Sequence, residues 1–199
     1  MPSDLSDELL MLRYCEGDLS AFQELYRRHS RAMYRFLAWH SPRREWVDEI
    51  AQDSWIGLHQ ARARYQPQAR FRTYLYQIAR NRLIDLQRQP QAVLAGDMGV
   101  DDQALSRFEQ LADMAQHQDA PDAGLEARQR TIALHAAIHA LPGEQKEVLV
   151  LQQFSGMSLD EIAELVAAPL ETVKSRLRYA MRKLRQHYAA GLSAHEEQA

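Results

Sequence analysis

The stretch MSLDEIAELVAAPLETVKSRLRYAMRKLR, Met157 to Arg185, decides how this chain is read. Ser158 with Glu161 three residues on is a capping box: the Ser side chain accepts a backbone N–H while the Glu side chain reaches back. It opens a short helix whose inward residues are Ile162, Ala163, Leu165 and Val166. Pro169 then marks a second start, since proline suits a first helical turn. On the longer helix that follows, Val173, Leu177, Met181 and Leu184 form the inward face. Glu171, Lys174, Ser175, Arg178, Arg182 and Arg185 point outward. A capped helix, a turn and a basic helix make a helix-turn-helix. Such a helix fits the major groove, with its first residues at base edges and later basic ones on phosphate. The competing reading is a helical hairpin with a solvated basic face.

Upstream, one helix is predicted over about Leu125–Ala140 and another from Pro142 to about Phe154. The final helix runs to about Tyr188, and 189–199 is a frayed tail. The N-terminal third carries helical periodicity as well. Phe22, Leu25, Tyr26, Met33, Phe36 and Leu37 stripe a helix from about Ser20 to His40, broken by Ser41-Pro42. Val47, Ile50, Ala51, Ser54, Trp55 and Leu58 stripe a second, about Arg44–Ala63. Tyr74, Leu75, Ile78, Ala79, Leu83 and Leu86 face inward on a third, about Phe71–Arg88. Between them and the C-terminal helices the pattern dissolves into acidic sequence punctuated by Pro90, Gly96, Gly99, Pro121 and Gly124. A stretch this long inside one domain is unusual, so two domains are expected. The predicted organisation is all-α: domain 1–89, linker 90–124, domain 125–188, tail 189–199.

Composition excludes several classes. One cysteine, Cys15, allows no internal disulfide and no zinc site needing two thiolates. The acidic N-terminus lacks the basic start and apolar run of a signal peptide, and no stretch approaches a membrane span of about 20 apolar residues. A cytoplasmic protein without membrane insertion is expected. The net charge of −3 hides segregation. Arg62–Arg88 holds seven arginines and one acid; Lys174–Arg185 holds six basic residues and none. Pro90–Glu126 holds eight acids and one base. Two basic patches flank an acidic connector. No Gly-rich phosphate loop occurs. His135 and His139 have a metal-like spacing, but no third ligand accompanies them. No metal, cofactor or catalytic residue is expected.

Two further surfaces are suggestive. FRTYLYQIARNRLIDLQRQ (71–89), behind RARYQPQAR (62–70), mixes aromatics, arginines and Asn81, a combination suited to single-stranded nucleic acid. In isolation, a core of Tyr74, Leu75 and Ile78 with arginines in water explains it better. The outer face of the second helix carries Asp48, Glu49, Gln52 and Asp53, with Ile56 stranded off the apolar stripe. That arrangement fits a partner helix; an ordinary solvated face explains it equally well.

Taken together, these motifs resemble those of the ECF (extracytoplasmic function) sigma factors of bacterial RNA polymerase. WVDEIAQDSWIGLHQA (46–61) resembles the family's region 2.2, approximately AEDLVQETFLRAW. FRTYLYQIARNRLID (71–85) resembles regions 2.3 and 2.4, approximately FRTWLYRIARNLALD. Leu141–Arg185 resembles region 4. The resemblance implies a non-enzymatic subunit that binds core polymerase and directs initiation at −10 and −35 promoter elements. It implies that Asp48, Glu49, Gln52, Asp53 and Ile56 meet the clamp helices of the largest subunit, with the flap as a further partner surface. Tyr65 to Arg70 and Asn81 would read an extruded −10 base. Arg70, Arg72, Tyr74, Tyr76, Arg80 and Arg88 would serve the neighbouring single strand. Glu171, Thr172, Lys174, Ser175, Arg176, Arg178, Tyr179 and Arg182 would face the double-stranded −35 element. An anti-sigma factor is an implied partner.

This sequence departs from the family pattern at three places. Tyr74 stands where Trp is common, Ala167 where a turn Gly is usual, and RYAMRKL (178–184) where SRARKKL is usual. A left-handed turn would strain Ala167, and the change at 178 and 179 should alter which −35 sequence is read. The linker also fits the task. Two helical turns of DNA separate the elements by roughly 70 Å. About 35 residues span at most ~120 Å but average only ~35 Å as a free coil, so bound surfaces must stretch them. The rival reading is a stand-alone helix-turn-helix regulator, which leaves Arg62–Arg88 unexplained.

Overall fold

The structure is a computed structural model and describes residues 5–88 and 133–196; the expected linker, 90–124, lies outside the described residues. Every regular element among them is helical: α1 (Asp7–Cys15), α2 (Leu19–His40), α3 (Arg44–Ala61), a 3-10 turn (Arg62–Arg64) and α4 (Phe71–Arg88). Then come α5 (helical over 133–139), α6 (Gly143–Ser155), α7 (Leu159–Leu165) and α8 (Leu170–Glu196). Contacts group the described residues into two units, 5–88 with 150–174, and 133–149 with 175–196.

In the first unit, local chemistry starts and stops α1 and α2. Ser6 caps α1 by accepting the Leu9 N–H, and Asp7 and Glu8 fill the first turn, where the helix dipole favours negative charge. Gly17 follows at φ 101°, a left-handed turn that ends α1. Asp18 caps α2, accepting from Ser20 N at 2.9 Å and Ala21 N at 3.3 Å. Ser41 is extended and ends α2 ahead of Pro42. Leu10, Met11, Leu25, Met33, Phe36, Leu37, Ile50, Leu58, Phe71 and Leu75 form a sealed core. Gly57 lets α3 approach α4: a Cβ there would meet the Ile78 side chain at 3.2 Å.

The capping box of α7 is present, with Ser158 Oγ accepting from Glu161 N at 3.2 Å and Glu161 Oε2 from Ser158 N at 2.7 Å. Ile162, Leu165 and Val173 are buried. Ala167 adopts φ 52°, the left-handed conformation that strains a residue with a Cβ. In the second unit Ala137, Ile138, Leu141, Val148, Leu149 and Ala180 are buried.

Several expectations are corrected. Helix α1 was not anticipated. The helix before the loop ends at Ala61 and tightens into the 3-10 turn. Tyr26 is 50% exposed. Met181 is 36% exposed while Ala180 is buried, because a 3.6-residue period from Val173 and Leu177 falls on 180. Helix α8 continues through the expected tail to Glu196, since Ala, Leu and Glu propagate it past Gly191.

Candidate nucleic-acid interface

The 3-10 turn and the start of α4 fix the two ends of the loop Tyr65–Arg70. Inside it the Tyr65 ring lies 5.3 Å from that of Tyr74, inclined at 60°. Burial, reinforced by the nearby Glu8 and Cys15, pushes the Tyr65 hydroxyl up to about 12, and burial raises Tyr74 as well. Both are therefore neutral hydroxyl-bearing rings at physiological pH, able to stack without repelling phosphate. Asn81 is exposed on the same helix and accepts from Gln77 Nε2 at 2.9 Å. Arg70, Arg82 and Arg88 are exposed; Arg80 is half-buried. Arg72 donates to the Gly156 carbonyl at 2.6 Å, and Arg70 Nε lies 3.7 Å from Glu161. Tyr76 is a correction: it is 0% exposed, with its ring 5.3 Å from Phe36. It sits in the core because it follows Leu75 on the side of α4 that faces α2, so it offers no surface to a DNA strand here.

A second surface lies between α2 and α3. Leu19, Phe22, Tyr26, Trp55 and Ile56 line an open groove of about 760 Å³, with Asp48 and Gln52 at its polar edge. Ile56 is 44% and Leu19 68% exposed. Trp55 meets Phe22 edge-on at 5.7 Å and tilts against Tyr26 at 5.0 Å, so the floor is a locked aromatic cluster. Glu49 is exposed and Asp53 half-buried on the same helix. Asp48 and Gln52, set beside an apolar floor, suit a partner helix carrying basic and aliphatic side chains, while Glu49 and Asp53 are not among the residues that line the groove. The periodicity of α3 marked Ile56. It did not reveal Phe22 and Tyr26, which stand on the stripe of α2, nor Leu19, which precedes that stripe.

The third surface is the exposed side of α8. Glu171, Lys174, Arg178, Tyr179 and Arg182 are exposed; Thr172, Ser175 and Arg176 are half-buried. Lys174 Nζ pairs with Glu171 at 2.7 Å, and Arg176 with Glu144 at 2.7 Å. The guanidinium groups of Arg178 and Arg182 stand 5.6 and 4.9 Å from the Tyr179 ring centre. This cation–π stack holds two charges out on one face. Among the described residues no group of three or more His, Cys, Asp or Glu side chains gathers as a metal site. No described helix is long and apolar enough to cross a membrane.

These features define an all-helical chain with an open aromatic-floored groove, an arginine-bearing helix and a helix-turn-helix. Residues 25–92 match the family model for Sigma-70 region 2, and residues 137–186 that for Sigma-70, region 4. The chain is 28% identical over 180 residues to the RNA polymerase sigma factor NccH of Alcaligenes xylosoxydans xylosoxydans, covering 89% of this chain and 92% of that one. It is 27% identical over 183 residues to the ECF RNA polymerase sigma-E factor of Haemophilus influenzae, with the same coverage of 89% and 92%. Its fold is similar to that of CnrH, solved with the cytosolic domain of CnrY: TM-score 0.65, 24% identity, 92% of this chain and 97% of that one. The chain belongs to the ECF-type sigma factors of RNA polymerase. It is not an enzyme; it binds core polymerase and promoter DNA and directs transcription initiation.

Proposed function

We propose that the three surfaces divide the work of initiation. The α2–α3 groove, with Asp48, Glu49, Gln52, Asp53 and Ile56, takes the clamp helices of the polymerase largest subunit. The loop Tyr65–Arg70, with Tyr74 and Asn81, captures an extruded −10 base, while Arg70, Arg72, Arg80 and Arg88 hold the neighbouring strand. Unstacking the base costs a few kcal/mol, offset by stacking on Tyr65 and Tyr74 and by salt-dependent phosphate contacts. Glu171, Thr172, Lys174, Ser175, Arg176, Arg178, Tyr179 and Arg182 meet the −35 duplex. Residues 1–89 and 125–188 act as separate modules joined by the acidic segment 90–124, and the flap receives the second module. The protein works in the cytoplasm, and an anti-sigma factor holds it until a signal releases it. The anti-sigma partner has support from the sigma factor RpoE of Bartonella quintana, solved with the anti-sigma factor NepR.

The observation that carries this reading is the exposed Ile56 set beside Asp48 and Gln52 on one groove. Run-off transcription with core polymerase and the full chain, on a promoter library randomised at −10 and −35, tests it. Defined starts with both elements enriched are expected. Ile56→Asp should abolish core binding while −35 duplex binding persists; loss of neither, or of both together, refutes the division.

A further inference from the structure

Helix α1 precedes the part of the chain that matches region 2, which begins at residue 25. It is nevertheless tied to both ends of the loop Tyr65–Arg70. At one end, the Glu8 carboxylate accepts the backbone N–H of Phe71, the first residue of α4, at 3.1 Å. Arg70, just before α4, offers no carboxylate or hydroxyl of its own, so a residue 63 positions away supplies the cap. At the other end, the Cys15 thiol donates to the Arg62 carbonyl in the 3-10 turn at 3.0 Å. Burial keeps that thiol protonated, as a donor must be. Next to it Tyr14 is hydrogen-bonded to His59 in the last turn of α3. Between the two ties, Tyr65 is close enough to Glu8 and Cys15 for both to influence its hydroxyl.

The helix itself is anchored elsewhere. Asp7 bonds Arg28 and His29 of α2, each at 2.8 Å, and Leu10 and Met11 are fully buried. Glu8 and Cys15 are only half-buried and stand outside this anchorage. They can therefore be altered while α1 stays docked. A loop that stacks on and hydrogen-bonds one base must hold its groups to within a fraction of an ångström. Ties at both ends from a rigid helix supply that restraint.

We propose that α1 positions the −10 reading loop, with Glu8 and Cys15 as positioning residues that set how strongly one base is preferred over the others. The inference rests on the reading of Tyr65–Arg70 as the −10 contact. It is tested with the full chain and core polymerase on the same promoter library. In Glu8→Ala the preference at the extruded −10 position should fall about fivefold, the scale of one lost cap. The −35 preference should not change. Glu8→Gln, which keeps an oxygen acceptor for the Phe71 N–H, should retain most of the preference, and Cys15→Ala should lose a smaller part. A merely structural loss would lower transcription from every template alike and leave the preference intact. An unaltered −10 preference in Glu8→Ala, with Asn81→Ala flattening it, overturns the positioning role and leaves the −10 reading standing. Unaltered preferences in Asn81→Ala and Tyr65→Ala as well overturn both. Should Glu8→Ala fold poorly, hydrogen exchange at the Phe71 amide decides: Glu8→Gln is expected to keep wild-type protection, and Cys15→Ala to speed exchange in the loop. Wild-type exchange throughout the Cys15→Ala loop overturns the proposal.

Discussion

The loop before α4 and the exposed face of α8 are both built from arginine and tyrosine, yet they are held in opposite ways. The loop is fixed mostly by side chains far off in sequence, Glu8 on Phe71 and Cys15 on Arg62, with Tyr74 against Tyr65 nearer by. The α8 face is organised mostly by near neighbours: Lys174 with Glu171, and Arg178 and Arg182 with Tyr179. A tertiary brace suits a single strand, whose bases must be caught in one pose. A regular helix already matches a duplex groove and needs only its charges spread. Substitutions remote in sequence should therefore damage −10 function, and mainly local ones −35 function.

The largest expected effect tests the scaffold behind the loop. Phe36→Ala removes a sealed ring from the aromatic core beside Tyr76. It should cost about 3–5 kcal/mol in urea unfolding; a cost under 1 kcal/mol would mean that this core is not what holds the loop. Next, Arg178→Ala should weaken binding to a −35 duplex by about tenfold and reduce the salt slope by about one, measured by fluorescence anisotropy. Core polymerase affinity should not move. An equal loss in core binding would erase the separation between the surfaces.

Smaller effects probe the turn that aims α8. Ser158→Ala removes one half of the capping box and should lower stability by about 1 kcal/mol. Ala167→Gly relieves the φ 52° conformation and should raise stability by roughly 1 kcal/mol. Thermal unfolding reads both, and opposite signs are the expectation. A further effect is a pH dependence. Burial, with a lesser contribution from His139, holds His135 down to about 4 against an ordinary value of 6.5. The unfolded chain thus takes up a proton near pH 6.5 that the folded chain refuses until near pH 4. The associated stability is complete above about 6.5 and is lost as pH falls toward 4. Equilibrium unfolding at stepped pH should show this slope in the wild type and a shallower one in His135→Gln.

Much of this molecule follows from short-range signals. The 3.6-residue stripe of α3 placed Ile56 outside the core, and Ser158 with Glu161 marked the start of α7, as both are in the structure. Ala167 stands where the resembled family usually has a turn glycine, and its φ of 52° is the left-handed conformation that this departure implied. Helix α1 escaped notice because it is short and interrupted by charge. Its readable signs were Ser6 ahead of Asp7 and Glu8, and Gly17 at the close. Tyr76 looked like part of an arginine–aromatic surface because its neighbours in sequence are. Only the packing of α4 against α2 turned it inward.

The sequence by itself determined most of the helices, the caps made by near neighbours and the segregation of charge, because those depend on residues within a turn or two of one another. Tertiary structure decided which aromatic rings are floor, core or contact, and which distant side chain caps α4. That division has a physical cause: periodicity specifies the face a residue shares, but a face acquires meaning only when another helix covers it or leaves it bare.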